Sequence, residues 1–491
     1  MIKNLWPSKY WLLVAIILVA HLAVSYWGVV KFDYPIAPGD DISAHLSLID
    51  SLRQTPKLWP SEGYPPGFHY LVIFLSGLTG LRDATVMSWL WPMLLVLSGL
   101  SLLIFATKAF SRQVGLLSYA LFVLLATQPY QTAADGGLPN ILATGILIPL
   151  GLACWIGLWR GENRARNAVG FGLVSLLILW THHLSTLSWL TIIVITGLGL
   201  VIWRCWHALP KVRLKLIVTT LAILGLMLLI FTQTEFFGAA RRLFNVSIQG
   251  ASSPAWNLGV YSTAFSGLVF QFSFVGALIL IGAKKLRAKF GAEAAIVAVI
   301  WFVLYYIGSR SSLIIEPGRL ARDLVFPSSI LASIGILASY RYLTRLSVPL
   351  LPRIFLLALI IAAVPAAWAK WSYLTGYEPM VRFSTADQSL LNFVRNSSQR
   401  IAIAPKTDYW DYFAANEILS GKIKLTTPNH IPDVLIDDSP SCLAVSTYSG
   451  NVWPNSLKST DDYDQVRADL HWQQVTTMAD PNKTWYLFCR R

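Results

Sequence analysis

The sequence predicts an all-α polytopic membrane protein of about eleven transmembrane helices, carrying a small extracytoplasmic α/β domain at its carboxyl end. Three observations predict it. Hydrophobic residues make up 55% of the 491 and charged residues only 13%, and the apolar ones gather in long runs that no soluble core could bury. Basic residues cluster in short loops between those runs. Near residue 370 the charge balance changes: 27 Lys+Arg stand against 12 Asp+Glu before it, and 12 against 13 from it onward.

The apolar runs at 11–30, 85–107, 138–158, 169–184, 187–203, 214–232, 259–283 and 294–308 read as spans. Lys3 and Lys9 precede the first, and no small-residue cleavage site follows it, so it reads as an uncleaved span. Basic loops face the cytoplasm. Here they are Lys3/Lys9, Lys108/Arg112, Arg160/Arg164/Arg166, Arg204/Lys211/Arg213/Lys215, Lys284/Lys285/Arg287/Lys289 and Arg341/Arg345/Arg353. To keep all of them inside, with the amino terminus cytoplasmic, one apolar segment must fail to cross. Residues 68–81 fit that role, since they are too few to span ~30 Å of hydrocarbon. A twelve-span arrangement would place Lys108 and Arg112 outside. The eleven-span arrangement puts the first outer loop (31–83), Asp135, His182/His183, the 310–323 segment and everything after Lys370 outside.

Residues 1–369 thus form the membrane module and 370–491 a separate domain. In the latter, 401–404, 442–447 and 484–489 have strand character and 409–419 a helical apolar period. Cys442 and Cys489 fall in two of those strands, so a disulfide and a pair of buried thiols both remain open. No internal repeat and no low-complexity segment is visible. The net charge of +14 is concentrated in the cytoplasmic loops and the soluble part is neutral, which argues against nucleic-acid binding.

Charge outside the spans carries the functional signal. Gly39-Asp40-Asp41-Ile42-Ser43-Ala44-His45 opens an amphipathic helix, with Ile42, Leu46, Ile49 and Leu52 on one face. Two adjacent carboxylates at a membrane edge repel and lose hydration, a combination suited to proton or metal chemistry. His45, one turn after Asp41, is placed to bond a carboxylate or share a metal. A helix cap with a solvated neighbour is the plainer alternative. Tyr64-Pro65-Pro66-Gly67-Phe68-His69 then opens the short apolar segment. Asp135 is the one acidic residue between Asp83 and Glu162; it is either a second acid of the site or a turn residue in Asp-Gly-Gly. Arg319 and Arg322, one turn apart near the outer start of a span, suit a phosphate, against the alternative of snorkelling with Arg322 paired to Asp323. His182 and His183 end another span. On a continuous helix they point about 100° apart, so they cannot both face one ligand. Arg241/Arg242 suit anionic headgroups.

With Asp40-Asp41, Tyr64-Pro65-Pro66-Gly67, Asp135 and the Arg319 segment in place, the chain resembles the GT-C superfamily of membrane glycosyltransferases over about residues 10–370. The doublet is similar to that of protein O-mannosyltransferases, aminoarabinose transferases and mycobacterial arabinosyltransferases. The spacing from Asp41 to Asp135 is similar to that in oligosaccharyltransferases. There is no complete Trp-Trp-Asp-Tyr-Gly element of oligosaccharyltransferases, which argues against N-glycan transfer. The resemblance implies a polyprenyl-phosphate-linked sugar donor, a glycan, lipid or protein acceptor, and extracytoplasmic chemistry. Asp40 and Asp41 would be catalytic, Arg319 and Arg322 would hold the donor phosphate, and His45, His69, Asp135 and His182 would support. A divalent cation, Mg or Mn, would sit among Asp41, His45 and Asp135. Competing classes are a lipid transporter or flippase, which favours mid-span charges and repeats, and an inactive scaffold.

Overall fold

The computed structural model describes residues 7–32, 41–58, 64–128, 130–134, 136–207, 266–282, 290–310, 317–346, 348–378, 385–404, 423–425, 441–448, 451–452, 461–469, 471–479 and 483–490. In chain order the helices begin with α1 (Pro7–Phe32), α2 (Asp41–Gln54), α3 (Gly67–Thr79), α4 (Asp83–Ala109), α5 (Arg112–Leu125) and α6 (Tyr130–Ala134). They continue with α7 (Leu138–Arg160), α8 (Arg164–Thr181), α9 (His183–His207), α10 (Gly267–Gly282), α11 (Ala292–Gly308), α12 (Pro317–Leu343) and α13 (Leu351–Gly376). Among the described residues six of these are long and apolar enough to cross a membrane: α1, α4, α7, α9, α12 and α13. Shorter apolar helices are α3, α5, α10 and α11. The expected run at 214–232, the helix at 409–419 and Arg241/Arg242 lie outside the described residues.

The two last spans are enclosed very differently. The apolar window of α12 is 89% buried and that of α13 is 0% buried, so α12 is central to the bundle and α13 turns Leu357, Ile360, Ile361 and Val364 outward. Small residues let α12 sit so deep. A Cβ on Gly276 would collide with the Leu331 carbonyl, and one on Gly335 would lie 2.6 Å from the Phe272 carbonyl; α10 and α12 touch backbone to backbone there.

The first outer segment folds as its pattern predicts. Ile42, Leu46, Ile49 and Leu52 of α2 are all buried. Arg53, near its end, donates to Asp83 at 2.6 Å and to Ser76 at 3.1 Å, tying α2 to α3 and α4. At 13 residues, α3 is about 20 Å long, short of a bilayer's hydrocarbon. Lys370 near the end of α13 is buried and donates to the Phe122 and Val123 carbonyls at the carboxyl end of α5. Its ammonium lies 4.7 Å from the Tyr130 ring centroid, which anchors the start of α6 and the turn that follows.

Beyond α13 come β1 (Tyr377–Glu378), α14 (Thr385–Asn396), β2 (Ile401–Ala404), β3 (Ile423–Leu425), β4 (Cys442–Tyr448), β5 (Asn451–Val452), α15 (Asp461–Ala468), β6 (Trp472–Ala479) and β7 (Lys483–Arg490). Five strands form one sheet in the order β3-β2-β4-β7-β6, with β3, β2 and β4 parallel and β7 and β6 antiparallel. Side chains alternate across it: Ile401, Ile403 and Ala444 share a buried cluster with Leu390, Leu391 and Val394 of α14, while Ala402, Leu443 and Val445 pack with Val466 of α15. Register places Cys442 opposite Cys489, and the two are disulfide-bonded.

Candidate functional site

Arg319 is where remote parts of the chain meet. It lies in the first turn of α12, and its guanidinium Nη2 is 4.0 Å from Asp41 Oδ2 at the start of α2. Its charge also reaches His45, Tyr64, His182 and Asp323. With Asp41 and Arg319 itself, those residues come from four different segments, so the convergence is a product of tertiary packing.

The amino end of α2 is pressed against the turn after α6. Gly136 has φ +87°, a left-handed conformation that favours glycine, and a Cβ there would stand 3.1 Å from the Asp41 amide nitrogen. Only glycine gives both the turn and the close approach. Asp40 and Asp135 lie outside the described residues. Asp41 is half-exposed. Partial burial raises its carboxyl above the usual carboxylate range, with the Arg319 charge opposing, and a base drawn towards working pH is a better proton acceptor.

Beneath Asp41 lies a group of imidazoles. His45 Nδ1 and His69 Nε2 are 3.0 Å apart and share one hydrogen bond. His45 therefore turns to His69 of α3, the partner the sequence did not suggest for it. Its Nε2, and Nδ1 of His69, are sealed without a hydrogen-bond partner. Burial drives both pKa values down, His45 to about 4 and His69 to about 3, so both are neutral at pH 7. Tyr64 is the hub of the group, with ring centroids 5.8 Å from His45, 5.6 Å from His69, 6.3 Å from His182 and 5.5 Å from His183. Burial, and secondly the Asp41 charge, push its phenol up, keeping it protonated.

Helix geometry predicts that His182 and His183 diverge, and the structure corrects this. The helix breaks between them: His182 caps α8 in extended conformation at φ −156°, ψ 124°, and α9 begins at His183. The rings stand 5.0 Å apart and both meet Tyr64. His182 Nδ1 pairs with Ser185 Oγ at 2.8 Å, and burial lowers its pKa far below the ordinary value.

Sequence reasoning missed Asn140, Thr144, Ser185 and Asp323. Thr144 Oγ1 and Ser185 Oγ each donate to Asn140 Oδ1 at 3.1 Å. Asn140 directly precedes a π-helical segment, Ile141–Leu147, of the kind that recurs at functional sites. The available signal was polar side chains inside apolar runs. Arg322 acts on Asp323 as well. Among the described residues no group of three or more His, Cys, Asp or Glu is arranged for a metal ion. His45 fits one poorly, since one ring nitrogen is taken by His69 and the other is sealed.

No protein-family model and no curated protein sequence matches the chain. Solved structures do. The Archaeoglobus fulgidus oligosaccharyltransferase tethered to an acceptor peptide containing the NVT sequon aligns at 14% identity and a TM-score of 0.53, covering 90% of this chain and 70% of that one. The same enzyme in complex with Zn and sulfate aligns at 12% and 0.51, covering 87% and 67%. ArnT from Cupriavidus metallidurans bound to undecaprenyl phosphate aligns at 13% and 0.51, covering 97% of each chain. At these identities the likeness is one of fold. The chain has the GT-C-like fold of polytopic membrane glycosyltransferases.

Proposed function

We propose that this protein is an integral membrane glycosyltransferase that moves a sugar from a polyprenyl-phosphate donor to an acceptor hydroxyl on the extracytoplasmic side. The observation that carries the reading is the meeting of Asp41 with Arg319 inside a GT-C-like fold. A carboxylate of the acidic doublet and a cation suited to a leaving phosphate stand 4.0 Å apart.

In this reading residues 1–369 form the catalytic module with eleven spans, and 370–491 an extracytoplasmic domain. The donor enters from the outer leaflet, and Arg319, helped by Arg322, takes its phosphate in place of the contact with Asp41. Asp40 accepts the proton of the acceptor hydroxyl, whose oxygen attacks the anomeric carbon in line. The carbon–oxygen bond to phosphate breaks, its electron pair leaves with polyprenyl phosphate, and configuration inverts. General-base help contributes roughly 10²–10⁴-fold, and a cation already in place at the leaving group needs no reorganisation. Asp41 orients the base. The imidazole–Tyr64 group holds α2, α3 and the α8–α9 break in register. Of the cation set Asp41, His45 and Asp135, the two carboxylates would hold a divalent cation, Mg or Mn, which would polarise the phosphate.

The topology is tested by cysteine labelling. Cysteines at Ser111 and Gly161 should resist impermeant thiol reagents applied from outside, and one at Ser456 should react. Labelling of Ser111→Cys from outside overturns the eleven-span arrangement. The chemistry is tested by turnover with a defined undecaprenyl-phosphate sugar and acceptor; the reading fails if Asp40→Asn and Asp41→Asn both turn over like the parent.

A further inference from the structure

Polar groups deep among apolar helices are costly unless they satisfy one another, and one such cluster reaches the Tyr64 hub. Asn140, Thr144, His182 and Ser185 are each 1–2% exposed. Thr144 Oγ1 lies 2.7 Å from Ser185 Oγ, and both hydroxyls bond Asn140 Oδ1. Ser185 Oγ lies 2.8 Å from His182 Nδ1, and the Ser185 amide donates to the same nitrogen at 3.2 Å. Thr144 belongs to the π-helical segment that follows Asn140, so the cluster joins α7 to the start of α9.

These bonds fix more than the direction of the His182 ring. A backbone amide can only donate, so Nδ1 is an acceptor and carries no proton. The imidazolium form would set one N–H against another, so the ring is neutral and its single proton is on Nε2. Nε2 lies across the ring from Nδ1 and is directed away from Ser185. No described residue accepts from it. Nor is it one of the sealed atoms, which among these imidazoles are His45 Nε2 and His69 Nδ1. The ring stands 6.3 Å from that of Tyr64, which stands 5.8 Å from His45, one turn from Asp41.

We infer that His182 donates Nε2–H to a hydroxyl of the donor sugar, in the site where Arg319 holds the lipid phosphate. The inference rests on that reading of Arg319. A neutral donor suits a hydroxyl, whereas phosphate is better answered by the guanidinium. Asn140, Thr144 and Ser185 are positioning residues: they hold the ring in one tautomer, so the bond to sugar needs no reorientation. With Nδ1 occupied and Nε2 protonated, the ring has no lone pair free to take a proton. General-base work is thereby kept at the acidic doublet.

The probes are undecaprenyl phosphate and, among undecaprenyl-phosphate mannose, glucose and aminoarabinose, the sugar-bearing lipid that the parent binds tightest. Each is titrated against the purified full-length protein in detergent. His182→Asn keeps an acceptor near the place of Nδ1 and removes the outward N–H. It should bind the bare lipid like the parent and the sugar-bearing lipid about three- to tenfold more weakly, the range for one neutral hydrogen bond. His182→Gln, whose amide reaches the place of Nε2, should regain part of that loss. Equal weakening for both lipids would mean a phosphate contact or a general loss of the site, and parental affinity for both would mean no contact. Either result overturns the inference, as does a parent that holds no sugar-bearing lipid tighter than the bare one. The tautomer is read separately, from NMR spectra of isotope-labelled histidine at pH 7, with the His182 signal identified by its loss in either variant. A ring protonated on Nδ1, or on both nitrogens, overturns the inference whatever the lipids do. If Arg319→Ala weakens both lipids while His182→Asn weakens neither, the sugar contact falls and the phosphate reading stands. If Arg319→Ala binds both like the parent, that reading falls and this inference with it.

Discussion

Two acid–base pairs in this molecule are built from similar side chains and do opposite things. In the carboxyl-terminal sheet, Lys483 of β7 donates to Asp387 of α14 at 2.7 Å and Trp485 Nε1 donates to the same oxygen at 2.8 Å. The Lys483 and Asp387 side chains are 3% and 1% exposed. Between the outer segment and α12, Asp41 and Arg319 stand 4.0 Å apart with side chains 49% and 28% exposed. The first pair is closed and saturated, and its role ends with holding a helix to a sheet. The second is longer and open to solvent. Distance and exposure, more than residue type, separate a structural ion pair from a working one.

The comparison breaks most visibly at the doublet. Asp40→Asn should insert normally, because asparagine still caps a helix, while transfer falls by at least ~10²-fold, the low end for a general base. Asp41→Asn should also lose turnover, though less. Parental turnover in Asp40→Asn would remove the catalytic assignment. The mirror experiment is Asp387→Ala, which strands a buried ammonium and should destabilise the carboxyl-terminal region by about 3–5 kcal/mol. Denaturant unfolding of the intact protein reads it, and a change below the range for exposed pairs would mean that this pair is not closed after all.

Arg319→Ala should weaken binding of a polyprenyl-phosphate donor strongly, and Arg319→Lys should recover part of it, because a point charge cannot reproduce the planar fork. Equal affinity in both variants and the parent would leave Arg319 a headgroup anchor.

Acid sharpens the contrast differently. His45 titrates near 6.5 when unfolded and at about 4 when folded, so between those values the unfolded chain binds more protons. Stability contributed by the neutral imidazole is whole above pH 6.5 and is lost as pH falls towards 4, by up to about 1.4 kcal/mol per pH unit. Thermal unfolding from pH 7 to 4.5 should show it, and His45→Gln should flatten the slope. A slope unchanged in that variant would show that His45 is not the source. The smallest effect belongs to the surface: Arg53→Ala removes an exposed pair with Asp83 and should cost roughly 0.2–1 kcal/mol.

The legible parts of the molecule were those with local causes. The amphipathic face of α2, the shortness of α3 and the strands around 401–404, 442–448 and 483–490 follow from periodicity and length, and the structure contains them. Partnership was less legible. The pattern suggested a carboxylate for His45, one turn away, and packing gave it His69 from the next helix. It suggested divergence for His182 and His183, and a helix break turned both onto Tyr64.

What the sequence determined by itself was the solvent of each segment: hydrophobic length and basic loops assign lipid and water, since the transfer free energy of a run is nearly additive over its residues. It also showed a change of composition near residue 370, where the charge becomes nearly balanced. Tertiary structure alone decided that the starts of α2 and α12, the turn at Gly136 and the α8–α9 break come to one point around Arg319. Those contacts join residues far apart in the chain through helix packing and single glycine contacts. Their energies depend on shape in three dimensions, which no window along the sequence contains.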